Sequence, residues 1–265
     1  MAPVDLEVRV EGEDGAIPAR SFLTVLRTSL DLLDQLEHAA NPGAKKAAGW
    51  LIAELRNASA AALLRPADTT DEETAMRLVD GITQLREREE LPPYFSPDIA
   101  AGIVKIGKQA RVTGVSGVIF TLSAVGDADP RTSERITDAV IENAQRATEA
   151  TETALGSVSG LLDAINLRRG AHEISLYDQE TRRAVRCRFP DELFAEVQGS
   201  LAHKVRAFGE LTRNARGQIL RMRVDRIESL PDAVNAPTVD ELAGIAPWYT
   251  GEQSSDDFVR AARGG

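Results

Sequence analysis

From Gly156 to Leu230 five strand-like segments and one helix follow one another in the order strand, strand, strand, helix, strand, strand. A strand with one buried face carries apolar residues at every second position, so alternation separates core positions from outward ones. In the third segment Val185, Cys187 and Phe189 share one face, while Ala184, Arg186 and Arg188 share the other. In the fifth, Leu220, Met222 and Val224 oppose Ile219, Arg221 and Arg223, and the phase slips at Ile227, as it does at a bulge. The fourth runs from His203 to Thr212 with Val205, Ala207, Gly209 and Leu211 inward, and Asn214 to Gly217 turns it into the fifth. Pro190 stops the third strand, and Asp191 caps a short helix bearing Leu193, Phe194 and Val197. Val158 to Leu167 and Glu173 to Tyr177 supply the first two strands. This order closes a small Greek-key barrel, an architecture whose outer face is available for binding.

The rest of the chain reads as an α+β unit that precedes the barrel. Val4, Leu6, Val8 and Val10 alternate in an opening strand, and Phe22, Leu26, Leu30, Leu33 and Leu36 fall at helical spacing between Ile17 and Ala39. Trp50 to Arg56 and Ala60 to Arg65 pair as a hairpin. Asp71 starts a helix with Ala75, Leu78, Val79, Ile82 and Leu85 aligned, and Pro92-Pro93 breaks the chain after it. Ser96 with Pro97 restarts a helix to about Ala110, since Ser at the cap and Pro at the first helical position are both favoured. Val112 to Val125 reads as one or two strands, and Ser133 to Thr151 as a helix. The expected fold is α+β: residues 1–153 an α+β domain, 154–230 a five-stranded barrel, and 231–265 an extended arm, rich in Pro, Gly and Ser, with a short terminal helix.

Charge divides unevenly between these parts. The barrel segment carries 13 basic and 10 acidic residues, whereas the whole chain is at −10. An acidic protein repels phosphate backbones at long range, but a local basic face can still hold a strand or an acidic partner. Arg186, Arg188, Arg221 and Arg223 are outward on two strands, Arg206 is on a third, and Tyr177 and Phe208 are placed to stack a base. In the arm, Trp248, Tyr249 and Phe258 are candidate anchors for a partner protein, with Arg260 and Arg263 as charged tips.

Catalytic motifs are absent on inspection. Gly102 to Lys108 spells most of a phosphate-binding loop, but Gln109 replaces the Ser or Thr that holds magnesium, and the stretch is helical from its start. His38, His172 and His203 are scattered, without Cys, His or Glu at metal-ligand spacing. Cys187 is inward, a core residue before it is a nucleophile, and no Ser sits in a nucleophile elbow. No metal, cofactor or catalytic residue is therefore assigned. No apolar run approaches a membrane span and no signal peptide is read, so a cytoplasmic protein that binds no membrane is expected; one cysteine agrees with a reducing compartment.

Gly160-Leu161-Leu162 through Ile165-Asn166, Leu176-Tyr177-Asp178, Val185 to Phe189, Val205 to Gly209 and Asn214 to Gly217 resemble, in their order, OB-fold nucleic-acid-binding domains. With Asp240 to Ile245 in the tail, the whole chain resembles a group of uncharacterised bacterial proteins, some encoded beside PIN-type ribonuclease toxins. The first resemblance implies single-stranded DNA or RNA as a partner. The second implies an antitoxin-like role in which the arm holds a nuclease toxin. The expectation is thus a non-enzymatic binding protein with a protein partner, with two alternatives, a single-strand binder and an enzyme sited between the domains; homo-oligomerisation stays open.

Overall fold

The computed structural model describes residues 4–13, 16–41, 49–56, 60–67, 72–125, 130–167, 172–178 and 181–230. Among these the chain forms ten strands and five α-helices, an α+β fold with one sheet and one barrel. The arm lies outside the described residues, as do Asn57 to Ser59.

The sheet is antiparallel throughout, in the order β2 (Trp50–Arg56), β3 (Ala61–Pro66), β1 (Val4–Glu11), β4 (Gly117–Ala124), β5 (Pro130–Arg135). Val4, Leu6, Val8 and Val10 of the central strand point into a core shared with α1 (Ala19–Ala40), α2 (Glu72–Glu87), α3 (Pro97–Gln109) and α4 (Asp138–Thr148). Asp5 and Glu7 take the other face as alternation requires, yet both are buried: Arg65 grips Asp5 through two bonds of 2.9 and 2.7 Å, and Arg56 reaches Glu7 at 3.0 Å. The flat guanidinium groups cover the acids whose charge they neutralise.

Gly102 and Gly107, which suggest a phosphate-binding loop in sequence, serve helix packing instead. A Cβ on Gly102 would stand 2.5 Å from the Leu32 side chain of α1, and one on Gly107 would stand 2.5 Å from Ile141 of α4. The bare positions let α3 lie close between its two neighbours.

Two boundaries differ from expectation. Residues 130–135 form edge strand β5, and α4 starts only at Asp138, capped by Thr137, whose hydroxyl accepts from the Val140 N–H at 3.4 Å. Val112 to Val125 yields one strand, β4, and the second strand comes from this polar edge segment.

The barrel strands β6 (Glu152–Asn166), β7 (Glu173–Asp178), β8 (Arg183–Arg188), β9 (Lys204–Arg213) and β10 (Ile219–Ser229) close in the order β10-β8-β7-β6-β9, with β9 bonded back to β6. Only β8 and β10 run parallel. This is the strand order of an OB-like barrel. Closure depends on β6, which begins six residues before the expected start: residues 152–161 pair with β9 and residues 161–166 with β7. The barrel core holds the expected Val185, Cys187, Phe189, Val205, Ala207, Leu211, Met222 and Val224, joined by Val197 of α5 (Phe194–Gly199), whereas Leu220, expected with them, packs into the sheet-layer core. The phase slip before Ile227 is a register shift between Val224 and Arg226.

Sheet layer and barrel meet through the β9–β10 turn. Asn214 Nδ2 donates to the Ala147 carbonyl at the end of α4 (2.8 Å), and its Oδ1 accepts from the N–H groups of Arg216 and Gln218. Gln218 accepts from the Leu91 N–H (2.8 Å) and donates to the Leu91 carbonyl (3.2 Å), as a neighbouring strand would.

Candidate functional site: an arginine square beside a cleft

Alternation turns Arg186 and Arg188 of β8 outward because Val185 and Cys187 fill the barrel, and it turns Arg221 and Arg223 of β10 outward because Met222 and Val224 do the same. The parallel register then sets Arg221 directly beside Arg186 and Arg223 beside Arg188. Neighbouring strands are about 4.8 Å apart, so four guanidinium groups stand as a square on the outer face.

Like charges opposite one another destabilise a sheet unless they are compensated. The adjoining strands supply the compensation in register. One row across the barrel reads Glu173, Arg188, Arg223, Glu210, and the next reads Ser175, Arg186, Arg221, Thr212. Arg188 Nε donates to Glu173 at 2.8 Å; Arg223 lies 3.6 Å from Glu210 and 3.8 Å from Asp225; Arg221 Nε reaches the Thr212 hydroxyl at 3.4 Å. Arg186 pairs with Asp98 in the first turn of α3. The arginine side chains remain 57% to 72% exposed where these ion pairs form, and exposed pairs of this kind contribute about 0–1 kcal/mol. A phosphate or carboxylate can therefore displace the pairs to Asp98, Glu210 and Asp225 at little cost, whereas Glu173, 15% exposed, holds Arg188 more firmly.

Arg206 does not join the square. It lies on β9 four residues from Glu210, about 13 Å along the strand, and donates to the Ser159 hydroxyl at 3.0 Å. Tyr177 is the clear correction: it takes the outward phase of β7, but it is 7% exposed, and burial raises its pKa. The segment before α3 packs over this end of β7 and β8, where the Tyr94 N–H donates to the Arg182 carbonyl at 2.9 Å, so the ring offers no free face for a base. Phe208 is half-buried, and the Arg226 guanidinium sits over its ring, 4.2 Å from the centroid. Trp248, Tyr249, Phe258, Arg260 and Arg263 lie outside the described residues.

Beside the square the sheet layer and the barrel enclose a cleft of about 430 Å³. The end of α1 and the start of α3 form one wall, and Ala164, Ile174, Ser175, Ala184 and Arg186 of the barrel form the other. His38 Nε2 is 2.5 Å from Asp163, whose side chain is 2% exposed. The hydrogen bond to Asp163 raises the His38 pKa, partly opposed by burial. Partial desolvation, and then the charge of nearby Asp31, raise the pKa of Asp34 as well. Ser96 is occupied as the α3 cap, accepting from the Ile99 N–H. Among the described residues no group of three or more His, Cys, Asp or Glu is placed to hold a metal, and no helix is long and apolar enough to cross a membrane.

The compensating residues Glu173, Glu210 and Thr212 were open to the same alternation that located the arginines, since each occupies an outward strand position. His38, Asp163 and Asp98 carry no local signal, because their roles arise from contacts between the sheet layer and the barrel.

No protein-family model matches the chain, and no curated protein matches it. Among solved structures it is similar to the Stn1-Ten1 complex of S. pombe, at 20% identity over 33% of this chain and with a TM-score of 0.24, a value too low to add weight to the reading. The match spans 62% of that chain.

Proposed function

We propose that this protein binds single-stranded nucleic acid through its phosphates, on the arginine square of the barrel. The observation that carries this reading is the register of Arg186 with Arg221 and of Arg188 with Arg223 on parallel strands, which presents four exposed guanidinium groups to one polyanion. With Tyr177 buried and Phe208 covered by Arg226, stacking adds little and bases are not read. Binding is then indifferent to sequence and steep in salt. Single strands lose roughly 0.7 in the slope of log affinity against log salt for each phosphate neutralised, so replacing all four arginines by Ala is expected to flatten the slope by about 3. Anisotropy of labelled oligo-dT and oligo-U across a salt series measures this. Equal affinity and slope in the Arg186→Ala, Arg188→Ala, Arg221→Ala, Arg223→Ala variant would overturn the reading.

A protein partner is the second reading, favoured by the carboxylates interleaved with the arginines, which match a surface carrying charges of both signs, and by the covered aromatic faces. Arginine is common at the energetic centres of protein interfaces. The finer form of this reading, an antitoxin whose arm holds a nuclease through Trp248, Phe258, Arg260 or Arg263, rests on sequence resemblance. A chain ending at Ser229 tests it: capture of the partner unchanged by the truncation would sink the arm's role.

A further inference from the structure

The two edges of the five-stranded sheet are built differently. β5 reads Pro-Arg-Thr-Ser-Glu-Arg, with a proline that cannot donate and charges that repel an incoming strand. β2 reads Trp-Leu-Ile-Ala-Glu-Leu-Arg, and every residue from Leu51 to Arg56 is exposed. Leu51, Ile52 and Leu55 are 58%, 53% and 58% exposed, and β3 is the strand's one ladder partner among the described residues. An open apolar edge is a template for another strand.

A register shift between Ile52 and Glu54 makes Ala53 an extra residue and changes which side chains share a face. Ile52 is opposite Leu64 and Leu55 is opposite Ala62, both core residues, so Ile52 and Leu55 share the helix-covered face. Leu51, Glu54 and Arg56 take the other face, where Arg56 bonds Glu54 and Glu7. Without the extra residue Ile52 and Leu55 would lie on opposite faces. With it, the strand is complementary to itself: run antiparallel to a copy, Ile52 stands opposite Leu55, Leu55 opposite Ile52, and Leu51 opposite the aliphatic stem of Arg56, each pair on a single face. The one acid and one base of the strand are already bonded to each other, so two copies approach without net repulsion.

We propose that β2 pairs with β2 of a second copy of this chain, antiparallel about a two-fold axis, continuing the sheet across both molecules. Such an isologous contact closes on itself and yields a dimer. Four apolar side chains, Ile52 and Leu55 from each copy, then form one cluster on the helix-covered face.

Analytical ultracentrifugation of the full chain across a dilution series is expected to show a dimer that dissociates on dilution, and Ile52→Lys with Leu55→Lys is expected to be monomeric with an unchanged circular dichroism spectrum. A cross-linking variant keeps the test decisive if the lysine variant fails to fold. Directly opposite residues of an antiparallel pair have Cα atoms about 4.5–5.5 Å apart, within disulfide reach. Ile52→Cys with Leu55→Cys is therefore expected to form a covalent dimer on oxidation, whereas either single variant, offset by three positions from its own copy, is not; buried Cys187 does not interfere. A wild-type monomer at every concentration, a dimer that survives the lysine substitutions, or a double-cysteine variant that stays uncross-linked would each overturn the proposal.

Discussion

His38 ends α1 with its imidazole against a carboxylate that is almost wholly buried, and the last turn of a helix favours a positive charge. Its folded pKa is raised above the ordinary 6.5, first by the Asp163 hydrogen bond. A raised histidine stabilises the fold fully below its unfolded pKa, and that contribution disappears as pH rises through the folded value. Wild type should thus exceed a His38→Gln variant in urea midpoint by more at pH 5.5 than at pH 8.5, and a difference that stays constant across that range would rule out the linkage. Cys187 makes the opposite case. Burial pushes its thiol up to about 12, and its Sγ lies 3.5 Å from the Val185 carbonyl inside the barrel. The thiolate is the reactive form, so the native protein should be inert to Ellman's reagent, with one thiol released only on unfolding. Stoichiometric labelling under native conditions would show that the barrel opens readily or that the residue has another environment.

Helix α4 shows how an element's start is decided by more than one suitable cap. Ser133 and Thr137 are both acceptable by type, yet Ser133 sits in β5, where its hydroxyl is 3.1 Å from that of Thr121, and Thr137 caps the helix. Thr137→Ala should cost about 1 kcal/mol of stability, and Ser133→Ala, at an exposed edge position, roughly half that or less. Chemical denaturation of the two variants measures both, and the reverse ranking would place the helix start at Ser133. The strands legible in the sequence are those with one dry face: β8 and β10 announce themselves through Val185, Cys187, Met222 and Val224. β5 has no apolar side chain beyond its proline, and the first half of β6, with Thr153, Gly156, Ser157 and Ser159, alternates too weakly to be read as a strand. The site divides in the same way. Outward arginines follow from alternation within a strand, whereas the burial of Tyr177 and the pairing of His38 with Asp163 need the sheet layer to be in place against the barrel, which no local pattern encodes.

For the molecule as a whole, the join between sheet layer and barrel determines whether they behave as one cooperative unit. Residues 1–229 form a single compact unit, and Leu220 of β10 packs with the core of the sheet layer instead of the barrel's own. Asn214, 2% exposed, spends its amide on the Ala147 carbonyl and its oxygen on the turn that carries Gln218 to Leu91. Replacing it by Ala leaves a buried carbonyl unpaired and loosens the turn, a loss of about 1–3 kcal/mol. Two residues report on the two halves separately: Trp50 in the sheet, followed by fluorescence in a Trp248→Phe background, and Cys187 in the barrel, followed by thiol release. If the join transmits folding, the two urea transitions coincide in the parent protein, and Asn214→Ala moves both to lower denaturant together, as a two-state unit requires. If the barrel folds alone, thiol release shifts in the variant while Trp50 fluorescence stays where it was, and the hydrogen bonds of Asn214 and Gln218 would then join two independently stable parts.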